Sequence, residues 1–371
     1  MPMEGQMDLL SFNTIDLLAQ TVPGPCISIF VPLPRGKFDE VAARLELKNL
    51  VALARTSIED QMRRPEVDEL LAPAEALLNS ASDWSGLEHG FGLFLSETKS
   101  VSIRTPIAPE PLVMIGDRFD LLPILQMVSP DYEFHLLALS RNEITVYRGS
   151  RYGFERMEVP DLPDSLDDAL WYERHQNIQI SAKDELKEYF DRFSLVLDRI
   201  LTPTLAPAGL PLILAGVERE VSSFREASQH PNIMQEMLIG NPFEIAPPSL
   251  HMRAWNIVRM EREAKEEAIL VNRFEELAGT SRRSTDESEI FDAAKEGRVD
   301  VLLLPLPCQT QSVPREAGGV DGFINSIAAE TLTNGGSIRF VPAAVLLEGT
   351  VAAAIFRWVT SDVDLVDVVA V

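Results

Sequence analysis

The chain has 371 residues, of which 46% are hydrophobic, so we expect two or three domains with ordinary cores. Its 57 acidic and 33 basic side chains give a formal net charge of −24, which opposes a uniformly basic nucleic-acid-binding surface. Cys26 and Cys308 are too far apart to form a C-x-x-C zinc or redox motif. We expect no secretory leader, no membrane span of about 18 apolar residues, and a location in the cytoplasm.

The first predicted domain, residues 1–130, alternates short apolar strands with helices. Residues 27–31 are apolar and stop at Pro32, as a short strand does. Apolar residues then recur at helical spacing up to Ile58. In chain order, we predict a strand at 27–31, helices at 38–58 and 67–79, strands at 90–95, 101–104 and 113–115, and a short helix at 119–126.

The second predicted domain, residues 131–283, begins with two strands, 134–139 and 143–148, joined by a polar turn. An irregular acidic stretch follows, and then a helix that Asp184 or Ser181 can cap and that ends at Pro203 and Pro207. The continuous apolar run 210–217 predicts a strand that is buried on both faces. Ser249 caps a long predicted helix that ends before Gly279.

The third predicted domain, residues 284–371, has the pattern of an αβα sandwich. Gly335 and Gly336 follow its second helix and are explained by a helix-terminating turn. An alanine-rich strand ends at Ile355-Phe356-Arg357. In chain order, we predict helix 290–296, strand 299–304, helix 321–331, strand 337–341 and the final strand.

Seven segments of this chain resemble the class-1 release factors of archaea and eukaryotes and their relative Pelota. The resemblance is closest to the bacterial archaeo-eukaryotic release-factor-like proteins. The segments follow the order of that family along almost the whole chain. They are CISIFVP at 26–32, the helix with Leu47-Lys48-Asn49-Leu50, IGDRF at 115–119, the hairpin at 134–149, LAGV at 214–217, AKEGRVDVLLL at 294–304, and the Gly-Gly turn with the Ile-Phe-Arg ending.

This resemblance implies an α/β protein of three domains. The middle domain would have a ribonuclease-H-like topology, and the C-terminal domain would be an L7Ae-like αβα sandwich. The resemblance also implies a role at the ribosome, in peptide release, in the rescue of stalled ribosomes or in translation-linked surveillance. The implied partners are the ribosome or tRNA, and a protein partner bound through the C-terminal domain.

The residues that perform release chemistry in this family are missing. Release factors carry Gly-Gly-Gln on the loop before the long helix of the middle domain, where glycines let the backbone approach the ester. The corresponding residues 161–183 contain no glycine. Their polar cluster is a candidate RNA- or ribosome-facing loop, formed by Arg174, His175, Gln176, Asn177 and Lys183. A solvated surface loop explains the same residues.

The codon-reading motif Asn-Ile-Lys-Ser is also absent. Lys48 and Asn49 lie in roughly that region and are a candidate contact of the N-terminal domain, although an ordinary helix surface explains them as well. No two of the five histidines have a metal-binding spacing, and no phosphate-binding loop or nucleophile motif occurs. We therefore assign no catalytic residue, no metal and no cofactor.

Two hypotheses follow. In the first, the protein is a translation or ribosome-rescue factor that binds the ribosome without hydrolysing peptidyl-tRNA. In the second, it is an acidic protein-interaction or regulatory module on a release-factor fold, without ribosome contact. The complete order of segments favours the first hypothesis, and the net charge favours the second. The oligomeric state stays open.

Overall fold

The computed structural model is a mixed α/β protein with several sheets and helices. It describes residues 8–20, 22–33, 40–59, 62–80, 84, 87, 89–128, 130–165, 168, 185–306, 320–343, 346 and 349–359. No helix within these ranges is long and apolar enough to cross a membrane. The chain divides into two compact units, one of Met1–Ser129 with Leu270–Val371 and one of Pro130–Ile269. The division into three domains stays a prediction.

The N-terminal part of the first unit is a five-stranded sheet with the order β1-β4-β3-β2-β5. Strand β2 is central and pairs antiparallel with β3 and β5. The strands are β1 (Asp8–Leu9), β2 (Cys26–Pro32), β3 (Gly90–Leu95), β4 (Ser100–Arg104) and β5 (Leu112–Gly116), and the helices are α1 (Phe12–Ala19), α2 (Glu40–Ile58), α3 (Arg64–Asn79) and α4 (Leu122–Leu125).

The two faces of β2 enter two different cores, because successive side chains of a strand point to opposite faces. Ile27 and Ile29 pack against the buried sides of α2 and α3. Cys26 and Phe30 belong to a second core, which also contains Ile324 from the C-terminal part of the chain. Strand β2 therefore contributes to the core that the N-terminal and C-terminal parts of this unit share.

The C-terminal part of the first unit is a sheet with the order β11-β14-β12-β13. Strand β12 runs parallel to β13 and antiparallel to β14. The elements are β11 (Arg283–Ser284), α8 (Glu287–Lys295), β12 (Val299–Leu306), α9 (Val320–Thr333), β13 (Ser337–Pro342) and β14 (Ala353–Phe356). Buried residues of α8 and α9 lie in the core shared with β2, and Val301 and Leu303 of β12 pack with Phe274 on the other face.

A buried amide connects the two parts of this unit. The Asn325 side chain, only 6% exposed, donates to the Phe119 carbonyl and accepts from the Leu121 N–H, both at 2.8 Å. Arg118 also forms an ion pair with Glu330 of α9. These contacts fix α9 against the chain that leads into α4.

Arg357 closes the turns that end α8 and α9. Its guanidinium donates to the carbonyls of Gly297 at 3.1 Å and Asn334 at 3.2 Å, and also to that of Gly335. Gly335 has a φ of +73°, a left-handed conformation that favours glycine. Arg357 thus holds the Gly-Gly turn against the Ile-Phe-Arg ending.

The second unit is built on a sheet with the order β10-β9-β6-β7-β8. Strands β6, β9 and β10 are parallel, whereas β6, β7 and β8 form an antiparallel meander. The elements are β6 (Phe134–Leu139), β7 (Ile144–Ser150), β8 (Gly153–Met157), α5 (Glu185–Leu205), β9 (Leu212–Gly216), α6 (Glu218–Ala227), β10 (Leu238–Ile239) and the part of α7 (Pro247–Glu276) that precedes Leu270. Every residue of β9 is buried, as the apolar run predicts.

The sequence prediction of this unit was incomplete. Helix α5 includes Pro203 and ends at Leu205, between the two prolines that were predicted to end it. Strand β8 was missed, since it is an edge strand with polar residues and little alternation. Helix α6 was missed because it has just two large buried apolar residues, Val221 and Phe224.

Candidate contact groove between two helices

The two predicted contact residues of the N-terminal domain lie next to each other on α2. Lys48 and Asn49 are both exposed on the surface of this helix. The other predicted site residues, Arg174, His175, Gln176, Asn177 and Lys183, lie outside the described residues. Their role as a ribosome-facing loop therefore stays a prediction.

Helix α2 carries two apolar stripes, and only one of them is buried. The buried stripe contains Leu47, Leu50 and Ala54, which pack on β2 and α3. The other stripe leaves Val41 77% exposed and Leu45 57% exposed. The sequence pattern indicates both stripes but not which of them faces the sheet.

A groove of about 540 Å³ runs between α2 and α3 beside Lys48. This volume lies within the range of protein ligand pockets. Residues of α2 supply most of the lining, and the C-terminal half of α3 supplies the opposite wall. The lining residues are Arg44, Leu45, Lys48, Val51, Ala52, Arg55, Glu75, Leu78 and Asn79.

Arg44, near one end of the groove, is held in place by several partners. Its Nε donates to Glu40 at 2.8 Å, and its terminal nitrogens donate to the carbonyls of Leu78 and Ser80. The guanidinium carbon lies 4.9 Å from the ring centre of Trp84, a cation–π contact. The planar guanidinium group has several N–H donors and can bind these acceptors at the same time. Arg44 therefore ties the C-terminal end of α3 to α2.

At the other end of the groove, Arg55 binds two carboxylates of α3. It donates to Glu75 at 2.8 Å and forms an ion pair with Asp68. The hydrogen bond with Asp68, followed by that with Glu75, raises the pKa of Arg55 above its ordinary value. The charges of Arg55 and Glu75 are therefore already compensated.

Lys48 lies between these two arginines and has no hydrogen-bond or ion-pair partner within the described residues. Its ammonium group is the groove-lining charge that is left for a ligand. Sequence reasoning selected Lys48 but missed Arg44, Leu45 and Leu78. A sequence signal for Arg44 and Leu45 does exist. Apolar and basic residues recur on one face of α2, at positions 41, 44, 45, 48, 52 and 55.

Two buried histidines in the second unit lie outside this groove. His135 of β6 is 2% exposed and His230 is 6% exposed. His135 Nδ1 and His230 Nε2 have no hydrogen-bond partner among the described residues. Burial lowers the pKa of both histidines below their ordinary 6.5, and the charge of Arg148 lowers that of His135 further. Burial also raises the pKa of Glu220 above its ordinary 4.5.

We expect the two histidines to make stability depend on pH. Because their folded-state pKa values are lowered, their contribution is full above pH 6.5 and is lost as the pH falls from 6.5 towards those values. The free energy of unfolding from urea titrations at about pH 7.5 and about pH 5.5 measures this loss. His135→Gln should reduce the difference between the two values, and a difference equal to that of the exposed control His89→Gln would contradict the assignment.

The described residues contain no cluster of three or more metal-ligating side chains. Asp191 and Asp198 of α5, two carboxylates seven residues apart, are engaged by hydroxyl groups that bridge to the neighbouring helix. Ser223 donates to Asp191 at 3.1 Å, and Ser228 at the end of α6 hydrogen-bonds to Asp198. These contacts join α5 to α6 and account for both carboxylates.

Comparison with solved structures finds distant similarity to translation factors. The archaeal termination factor aRF1 is 17% identical, with 95% of this chain and 99% of that chain covered and a TM-score of 0.24. Archaeoglobus fulgidus Pelota is 16% identical, with coverages of 72% and 80% and a TM-score of 0.40. S. cerevisiae Dom34 is 12% identical, with coverages of 62% and 64% and a TM-score of 0.29.

A search of curated proteins finds no match. Residues 133–298 do match the family described as Bacterial archaeo-eukaryotic release factor family 3. The match starts one residue before β6 and ends one residue before β12. Over residues 133–298, the chain is therefore similar to the bacterial archaeo-eukaryotic release factor proteins, in agreement with the resemblance of its sequence segments.

Proposed function

We propose that this protein is a release-factor-like factor that associates with the ribosome, in translation or in the rescue of stalled ribosomes, without hydrolysing peptidyl-tRNA. The family match of residues 133–298 is the observation that carries this proposal. The absence of Gly-Gly-Gln before α5 supports the lack of hydrolysis, because residues 161–183 contain no glycine to approach the ester.

The proposal includes the domain folds that accompany such a factor. A ribonuclease-H-like middle domain is supported by the sheet of three antiparallel strands followed by two parallel ones, with α5 and α6 on one face and α7 on the other. An L7Ae-like C-terminal domain is supported by the β11-β14-β12-β13 sheet, which has α8 and α9 on one face. A partner protein would bind through this last domain.

Co-sedimentation with ribosomes across a salt series tests the proposal. We expect the protein to pellet with ribosomes at low salt and to be released as salt rises, because contacts to phosphates are screened. Charge reversal at Lys48 or at Lys183, made separately, should lower the fraction retained at intermediate salt. Failure to pellet at low salt would refute ribosome association.

A peptidyl-tRNA release assay tests the chemical part separately. We expect no release above the background without protein, and no change on Gln176→Ala. Release that depends on Gln176 would show that residues 161–183 carry a catalytic group in spite of the missing glycines.

A second candidate function is an acidic protein-interaction module without ribosome contact. The net charge of −24 favours it, because a strongly acidic surface is repelled by ribosomal RNA. The same salt series distinguishes the two candidate functions, because a protein-interaction module would stay in the supernatant at every salt concentration.

A further inference from the structure

An apolar row is exposed along the outer rim of the α2–α3 groove. Val41, Leu45 and Ala52 are exposed, and their spacing of four and seven residues places them on one face of the helix. Single exposed apolar side chains are common on protein surfaces. A row of them beside a groove is typical of an interaction surface.

The shape of this surface suits a helix. From Val41 to Ala52 the row extends about 17 Å along α2, or about three helical turns, at about 1.5 Å per residue. Val51 is buried at the base, and Leu78 of α3 stands on the opposite wall. Two neighbouring helices offer a groove that receives the side-chain ridge of a third.

The positive charge of the groove favours an acidic ligand. Arg44 and Arg55 are engaged within the protein, whereas Lys48 between them has no partner in the part of the chain that the structure describes. Because the whole chain carries a net charge of −24, an acidic segment is repelled by most of the surface and attracted at this point. An apolar row with one free ammonium group therefore complements an apolar helix face with a carboxylate.

We propose that the groove between α2 and α3 binds an acidic amphipathic helix of a partner protein. The apolar face of that helix packs on Leu45, Ala52 and Leu78, and one of its carboxylates pairs with Lys48. Lys48 is also the ribosome contact proposed above, and the peptide-binding experiments contain no ribosomes, so they test the helix site separately.

Selection from a displayed library of helical peptides tests the proposal. The library fixes leucine at helical spacing and randomises the flanking positions. The full-length protein should enrich Glu or Asp at one flanking position, and Lys48→Glu should enrich Lys or Arg there. For one selected acidic peptide, fluorescence anisotropy should show about tenfold weaker binding to Lys48→Glu than to the unaltered protein.

A matched pair of variants tests the apolar contact. Leu45 and Leu195 are 57% and 55% exposed, and Leu195 lies in the other unit on α5. Leu45→Ser should weaken binding of the selected peptide about tenfold, and Leu195→Ser should leave it unchanged. Equal effects of the two variants, selection without an acidic preference, or no enriched peptide would each overturn the proposal. Dimerisation that Leu45→Ser abolishes would also overturn it, and would assign the groove to a second copy.

Discussion

Replacement of Asn325 by leucine is expected to lower the free energy of unfolding by about 3 kcal/mol. Leucine has nearly the same shape but leaves the buried Leu121 N–H and Phe119 carbonyl without their partner at 2.8 Å. Each unpaired buried polar group costs about 1–3 kcal/mol, because it has lost water and gained nothing in return. Urea unfolding followed by circular dichroism measures the loss.

The same substitution at an exposed position is the control for this prediction. Asn49→Leu on α2 removes no hydrogen bond between described residues, so its effect should stay within about 0.5 kcal/mol. Hydrogen exchange at the Leu121 amide should also become faster in Asn325→Leu. A stability loss no larger than that of Asn49→Leu would contradict the role of Asn325 in joining the two ends of the chain.

Gly336→Ala is expected to destabilise the protein by about 2–3 kcal/mol. A Cβ atom at this position would lie 2.6 Å from Thr331 Cγ2, 2.8 Å from the Val299 carbonyl oxygen and 3.0 Å from the Thr331 carbonyl oxygen. Two of these neighbours are backbone atoms, and the Gly336 N–H already donates to the Thr331 oxygen at 2.7 Å. The turn therefore cannot accept a methyl group unless β12 or the end of α9 moves.

Gly322 in α9 provides the matched control. A Cβ atom there meets nothing within 4 Å, so Gly322→Ala should stabilise the helix by about 0.5–1 kcal/mol. Opposite signs of the two changes in urea unfolding would support close packing at Gly336. A neutral Gly336→Ala would show that the turn adapts more freely than the distances indicate.

Much of the local structure is readable from the residues of each segment. The helical spacing before Ile58 and the apolar run at β9 predicted elements that the structure contains, because both patterns depend only on neighbours in the chain. Helix α6 and strand β8 were not predictable in this way. Strand β8 has no fully buried residue, and α6 buries only Val221 and Phe224 as large apolar side chains, so neither segment shows a clear periodicity.

The candidate groove was only partly predictable for the same reason. Lys48 was selected because of its place in a family-like segment. Arg44 lines the groove because it donates to the carbonyl groups of Leu78 and Ser80, which lie at the end of another helix. Nothing in the sequence around Arg44 indicates these partners.

The order of the segments, the family match of residues 133–298 and the absence of Gly-Gly-Gln are all properties of the amino-acid sequence, because each depends on residue identity and spacing along the chain. The joining of both ends of the chain into one unit depends on three-dimensional contacts. It rests on the two faces of β2 and on the Asn325 side chain, which bonds to Leu121, 204 residues away in the chain. The same is true of the exposed stripe of α2. Helix α2 has two apolar stripes, and one of them packs against β2 and α3. The other stripe, which lies beside Lys48, faces solvent.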